Sequence, residues 1–281
     1  MPTLLVAAAK PLAGKTTTAV ALARMLAKLG ASVALERSGD DANAAADAQT
    51  FASLGQAAGD TKVIELPVGD PSAALAERAG SRVLVVATPE TAAEASAMAK
   101  AAGASLAGVV LNRARKAGGE GSAGYEGVTP LAVIPEDAAL AAPSLGVVRE
   151  ALEAEALHVE DDPSRTLGRV VIASIAADPG QAYFDRTRAD SVIVRSDKPD
   201  LQLAALNAGA ECLIITGGLP VLNYVQERVA EDEVPFMRTQ LDTKAAVEAI
   251  EALFGATPFA ADAQRLGRLD ELFAGIDVSA L

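Results

Sequence analysis

Ala9-Lys10-Pro11-Leu12-Ala13-Gly14-Lys15-Thr16 sets a lysine and a hydroxyl side chain directly behind a glycine, a combination suited to gripping a phosphate chain. The pattern is x-x-x-x-x-G-K-[ST], with Ala9 where a first glycine usually stands. In such a loop successive backbone N–H groups point at the β-phosphate, Lys15 neutralises the β and γ oxygens, and Thr16 offers an oxygen to magnesium. Ala13, Gly14, Lys15, Thr16 and Thr17 are therefore the expected contacts of a nucleoside triphosphate with Mg2+. The plain alternative is a helix that begins with a flexible turn. Lys10 and Lys15 also lie in a stretch without an acidic residue before Glu36, so an anion is focused there.

A metal-side carboxylate is expected at the end of a neighbouring strand, and Glu65, after Val63-Ile64, fits that place. Asp40 and Asp41, in Arg37-Ser-Gly-Asp-Asp, follow the second apolar run, where they could orient an attacking water, with Asp41 also near the metal. An ordinary strand-end glutamate and two exposed loop aspartates are the alternatives.

These groups need a scaffold that brings distant strand ends together. Leu4 to Ala8 reads as a strand, and Thr16 to Leu29 reads as a helix closed by Gly30. Apolar runs recur at Ser32–Leu35, Val63–Leu66, Val83–Ala87, Val109–Leu111 and Leu131–Ile134, with alanine-rich helical stretches between most of them. Alternating strands and helices predict an α/β fold with a doubly wound parallel sheet. A helix over Leu145–Leu157 and a polar stretch through Asp161-Asp-Pro163 then suggest a first domain over 1–157 and a linker over 158–167. The second half repeats the alternation over 168–259, with strands at Val170–Ser174, Ser191–Arg195, Cys212–Ile215 and Val234–Met237. Its helices are expected at Asp200–Ala208, Leu222–Ala230 and Thr243–Phe254. An amphipathic tail over 260–281 either caps a domain or meets a partner subunit.

The 281 residues are 51% hydrophobic and only 3% aromatic, which suits Ala, Val and Leu helices packed on buried strands. A net charge of −13 disfavours nucleic acid and anionic membrane as partners, and the basic residues Arg113, Arg115 and Lys116 form no broader cluster. No apolar run is long enough to cross a bilayer and Met1 opens onto a strand, so a cytoplasmic protein is expected. The single cysteine, Cys212, sits in Cys-Leu-Ile-Ile and reads as a buried structural thiol.

With Lys10 in place, the loop resembles the deviant Walker A motif, Lys-x-x-x-Gly-Lys-[Ser/Thr], of the partition, division-site and nitrogenase iron-protein ATPases. The resemblance implies that Lys10 reaches a partner's nucleotide across a homodimer interface, although Pro11 and Leu12 stand where glycines usually follow. Glu65-Leu-Pro67-Val-Gly69 is similar to the Asp-x-Pro-x-Gly switch of the same ATPases. Gly108-Val-Val-Leu-Asn112-Arg113 and Pro130-Leu-Ala-Val-Ile-Pro135-Glu136-Asp137 resemble the closing strands of dethiobiotin synthetase and cobyrinate amidotransferase-like ATPases. By that resemblance Asn112, Arg113, Pro135, Glu136 and Asp137 frame an adenine. Dethiobiotin synthetase carries Lys-Pro after its second strand, whereas this chain has Glu36-Arg37, and its carboxylation pocket is not evident here.

The second half resembles the smaller α/β DRTGG domain, on Ser196-Asp197-Lys-Pro-Asp200 and on Thr216-Gly217-Gly218. Asp197, Asp200, Thr216, Gly217 and Gly218 are then the expected ligand contacts, and turn glycines without a ligand are the alternative. Long bacterial phosphate acetyltransferases pair these two domains ahead of an acyltransferase domain, which does not follow here. Three functions are compatible with this reading: an ATP- and magnesium-dependent switch, with slow hydrolysis and a metabolic enzyme as partner; an ATP-dependent ligase using Asp40, Asp41 and Glu65 around its acceptor; and a scaffold that ignores nucleotide.

Overall fold

The computed structural model describes residues 2–41, 43–55, 58–114, 129–158, 165–173 and 180–278. Two compact units emerge: Met1–Leu140 with Pro258–Leu281, and Ala141–Thr257.

The first unit carries six parallel strands, β1 Thr3–Ala7, β2 Val33–Arg37, β3 Thr61–Glu65, β4 Arg82–Ala87, β5 Leu106–Ala114 and β6 Ala132–Pro135, in the order β2-β3-β1-β4-β5-β6. β1 lies at the centre because its Leu4-Leu5-Val6-Ala7 core is buried on both faces. The two-residue period of a strand sends Leu4 and Val6 to one face. There they join Val20, Leu22 and Ala23 of helix α1 (Lys15–Lys28). Leu5 and Ala7 face the other way, among residues of α3 (Ser72–Glu77) and α4 (Ala92–Ala102). α2 (Ala44–Ser53) bridges β2 and β3 and buries Phe51 in the α1 cluster.

The C-terminal tail returns to this unit. α11 (Ala263–Phe273) buries Leu269 and Phe273 in the α1 cluster, and Asp270 accepts both Nε and Nη2 of Arg24 at 3.0 and 2.7 Å, with Lys28 at 2.8 Å. Those two cations hold the Asp270 carboxyl down at about 2, with the Arg24 hydrogen bond contributing most. Of the two roles open to the tail, the one observed is packing within its own chain.

The second unit opens with α6 (Leu145–Ala151), preceded by the short α5 (Ala138–Ala141) at the unit boundary. Its sheet runs β7-β11-β10-β9-β8, from β7 Glu155–His158, β8 Val170–Ile172, β9 Ser191–Arg195, β10 Cys212–Thr216 and β11 Phe236–Arg238. The four strands β8 to β11 are parallel and in chain order, and β7 adds antiparallel to β11 at the edge. α8 (Pro199–Asn207) and α9 (Asn223–Glu231) cover Val192, Val194, Leu213 and Ile215, as does Phe184 of α7 (Gly180–Thr187). α6 and α10 (Thr243–Leu253) cover Ile193, Cys212, Ile214 and Met237 on the other face. Cys212 is a buried free thiol in that layer.

The expected division of the chain differs from the observed one in three places. The helix over Leu145–Leu157 stops at Ala151, because Leu152 is its C-cap and Glu153 takes φ +46°, which turns the chain back into β7. The boundary expected near residue 158 lies ahead of α6, whose Leu145 and Val148 pack under β9 and β10. Of the expected linker, residues 159–164 lie outside the described residues, and Leu167 is a core residue of the second unit. Arg115, Lys116 and Ser174 also lie outside the described residues.

Candidate functional site

β1 ends at Ala7 and α1 begins at Lys15, so the loop between them starts at the C-terminal edge of the central strand. Gly14 stands at φ +91°, and a Cβ there would lie 2.1 Å from Asn112 Nδ2, so glycine is required for both conformation and space. That amide donates to Ala13 O at 3.0 Å and ties the end of β5 to the loop. Leu12 takes φ +59°, the left-handed conformation that a glycine would adopt freely, and its side chain is 45% exposed. No side chain caps α1, and among the described residues no acceptor takes the backbone N–H groups of Gly14, Lys15 or Thr16. These orphan donors and the positive end of the helix dipole face the same space.

Because β3 pairs directly with β1, Glu65 comes up beside this helix start. Glu65 is 1% exposed, and its Oε1 lies 3.7 Å from Lys15 Nζ and accepts from Thr16 Oγ1 at 3.3 Å. Thr16 Oγ1 also reaches Asp47 Oδ1 on α2 at 3.1 Å. Lys15 donates in addition to Leu66 O. Burial lowers the Lys15 ammonium against the opposing charge of Glu65. Burial, helped by the charge of Asp47, pushes the Glu65 carboxyl up to about 7 despite Lys15 and Arg37. Burial thus opposes the charged form of both groups, and an incoming polyphosphate would favour the charged form of Lys15.

Arg37, at the end of β2, completes the cluster. Its side chain is 3% exposed, and its Nε lies 3.4 Å from Asp47 Oδ2 and 3.8 Å from Glu65 Oε1. Its other nitrogens bond Asp41 and the carbonyl of Ser38. Partial burial raises the Asp41 carboxyl, but the hydrogen bond and charge of Arg37 outweigh that and leave it low. The structure therefore gathers Lys15, Thr16, Asp41 and Glu65, four of the residues named from the sequence, around two that sequence reasoning left out, Arg37 and Asp47. Arg37 stood only as a departure from Lys-Pro. Asp47 is the lone carboxylate in the alanine-rich run Ala44–Thr50, and that isolation was its only signal.

Magnesium would suit this donor set. Thr16 Oγ1, Asp47 and Glu65 present hard oxygens, and the 3.1 and 3.3 Å separations approach the roughly 3 Å edge of an octahedron with bonds near 2.1 Å. Glu65 Oε2 is buried with no hydrogen-bond partner among the described residues. Asp41, the expected metal carboxylate, is turned to Arg37, and Asp47 takes the place beside Thr16. Among the described residues no three His, Cys, Asp or Glu side chains are arranged to hold a metal. A cation here would depend on the hydroxyl and on phosphate oxygens as well.

The other expected residues are dispersed. Lys10 points to the surface and pairs with Glu94 at 2.8 Å, and Asp40 is exposed. Thr17 is half-buried as the third residue of α1. Asn112 is spent on the phosphate loop, and Arg113 follows it at φ +57°. Pro135 pairs with Ala114, and Glu136 N donates to Ala114 O at 3.0 Å, so this loop borders the end of β5. Asp137 receives the N–H groups of Ala139 and Leu140 and pairs with Arg268 of α11 at 2.8 Å.

In the second unit the glycine turn after β10 is closed by its own chain. Gly217 N donates to Leu241 O at 2.8 Å and Gly218 N to Thr239 O at 3.1 Å. Thr216 is fully buried and shares a 2.9 Å hydrogen bond with Thr243. A Cβ on Gly218 would lie 2.0 Å from Gln240 Oε1, so the close approach that glycine permits is made to Gln240. Asp197 pairs with Arg195 at 2.7 Å, and Asp200 sits in the first turn of α8.

Residues 4–147 match the CobQ/CobB/MinD/ParA nucleotide binding domain. The chain belongs to that family. Residues 147–253 match the DRTGG domain, so the nucleotide-binding domain is followed by a DRTGG domain. The junction at 147 falls in α6, close to the boundary between the two compact units. Among solved structures, the chain is similar to the CBS and DRTGG domains of the regulatory region of Clostridium perfringens pyrophosphatase, complexed with the activator diadenosine tetraphosphate. Identity is 20% and the TM-score 0.37, over 46% of this chain and 56% of that one. Among the described residues no helix is long and apolar enough to cross a membrane.

Proposed function

We propose that this protein is an ATP- and magnesium-dependent switch, in which nucleotide binding and slow hydrolysis in the first domain alter what the DRTGG domain presents to a ligand or a second copy of the chain. The observation that carries this reading is Lys15 and Thr16 at an uncapped helix start, against Glu65 and Asp47. Lys15 would hold the β and γ oxygens while Thr16, Asp47 and Glu65 held magnesium, which supplies charge neutralisation for phosphoryl transfer. Asp40, exposed beside the cluster, is the remaining candidate to orient a water. The tie of both Asp41 and Glu65 to Arg37 favours a switch over a ligase, whose acceptor would need those carboxylates free.

Exposed Leu219, Leu222 and Tyr224, just beyond the glycine turn, support a contact role for the DRTGG domain. Lys10, held among the described residues by the exposed Glu94 alone, is available to reach a partner's nucleotide in a homodimer. The test is calorimetry with MgATP: Lys15→Ala abolishes binding, and unchanged affinity overturns the reading. Titrating GTP alongside fixes the base preference.

A further inference from the structure

Arg37 makes a set of contacts that nucleotide binding alone does not explain. A single guanidinium, almost wholly out of solvent, reaches helix α2 through Asp47, strand β3 through Glu65, and the loop after β2 through Asp41 and Ser38 O. Two of these carboxylates, Asp47 and Glu65, are the ones that flank Thr16 Oγ1 on the metal side. Glu65 Oε1 itself and the second oxygen of Asp47 therefore serve a resident cation that is part of the chain.

We infer that Arg37 is a built-in counter-ion that competes with a divalent cation for Asp47 and Glu65, yields them when nucleotide and cation bind together, and releases the Asp41 loop as it does so. Competition for the same carboxylates decides the order of events. The cluster sets two basic side chains, Lys15 and Arg37, among three carboxyl groups, Asp41, Asp47 and Glu65. Burial tolerates charge only when it is nearly balanced. A divalent ion reaches Asp47 and Glu65 only by displacing the guanidinium from them, so metal alone binds poorly while Arg37 stays. The triphosphate offers Arg37 another partner, because a guanidinium is shaped to pair with phosphate oxygens after it leaves carboxylates. Arg37 thereby makes metal binding conditional on nucleotide, and it is the physical link between the metal side and the Asp40-Asp41 loop. The regulatory meaning rests on the switch reading, whereas the competition itself does not.

The test uses the full chain without nucleotide. Mn2+ is titrated into wild type and Arg37→Met, with free Mn2+ counted by electron paramagnetic resonance and melting temperature followed in parallel. Arg37→Met is expected to bind Mn2+ at least about tenfold more tightly than wild type. It should also gain thermal stability from Mn2+ that wild type does not gain, because the ion re-balances the exposed carboxylate charge. Adding Asp47→Asn to Arg37→Met should remove both effects. Mn2+ affinity in Arg37→Met equal to or below wild type overturns the inference. Should Arg37→Met fail to fold even with Mn2+, Arg37→Gln decides, since a glutamine keeps a polar amide near Asp47 and Glu65 but removes the competing charge. Affinity above wild type then supports the competition, and affinity at or below it refutes it. ATP binding is measured separately in EDTA, so loss of the nucleotide reading leaves this outcome intact.

Discussion

The phosphate loop of the first unit and the glycine turn of the second are built alike and finish differently. Each follows a central parallel strand, each needs a glycine in the left-handed region, and each is crowded by an amide side chain, Asn112 at Gly14 and Gln240 at Gly218. In the second unit the loop between β11 and α10 comes back to accept Gly217 N and Gly218 N, and Asp242 caps α10 through Ala245 N at 2.8 Å. Around the phosphate loop no element of the described chain does the same for Gly14, Lys15 or Thr16. A strand-end glycine turn becomes an anion site only where its donors stay unpaired, and the neighbouring loop decides that.

Gly14→Ala is the harshest way to break the comparison. It combines left-handed strain of roughly 1–2 kcal/mol with loss of the Asn112 to Ala13 hydrogen bond, worth about 1 kcal/mol, so calorimetric ATP affinity should fall about 100-fold. Gly218→Ala meets only the movable end of Gln240 and costs roughly 1–2 kcal/mol in melting experiments, while ATP affinity stays at the wild-type value. A loss of ATP binding in Gly218→Ala would mean that the two turns are coupled. Asp270→Asn removes the clamp of α11 on α1 and should cost about 1 kcal/mol at neutral pH. Because the Asp270 carboxyl is depressed in the folded state, its stabilisation is present above the ordinary carboxylate range and lost as pH falls toward about 2, so the gap between wild type and Asp270→Asn should close in that acid window. Lys10→Ala breaks only the solvent-exposed pair with Glu94, and the melting temperature should stay where it is. Light scattering with ATP should nevertheless show loss of dimer, and a protein that is monomeric with and without ATP removes the trans role of Lys10.

Much of the fold was legible because strand and helix periods differ and because β1 and its neighbours are buried on both faces, which writes them as short apolar runs. β7 was not legible: Glu155-Ala156-Leu157-His158 has no apolar run, and the strand exists because β11 offers it an edge and Glu153 turns the chain. The tail was legible as amphipathic but not in its destination, since a stripe of Leu266, Leu269, Leu272 and Phe273 describes a face without naming what covers it. The expected base-binding role of Asn112 met a hydrogen bond to the phosphate loop, a contact across 99 residues of chain that spacing cannot forecast.

What the sequence determined by itself is local: a glycine, a lysine and a hydroxyl at fixed offsets between a strand and a helix, and the alternation that makes both halves α/β. The tertiary structure alone decided which charges meet. Strand order put β3 next to β1 and β2 next to β3, and that stacking brought Glu65, Arg37 and Asp47 to Lys15 and Thr16, Glu65 meeting Thr16 across 49 residues of chain. Ion pairs act over a few ångströms in space and leave no periodic trace along the chain. The loop could therefore be read from its letters, while the counter-ions that govern it could be found only once the sheet had assembled.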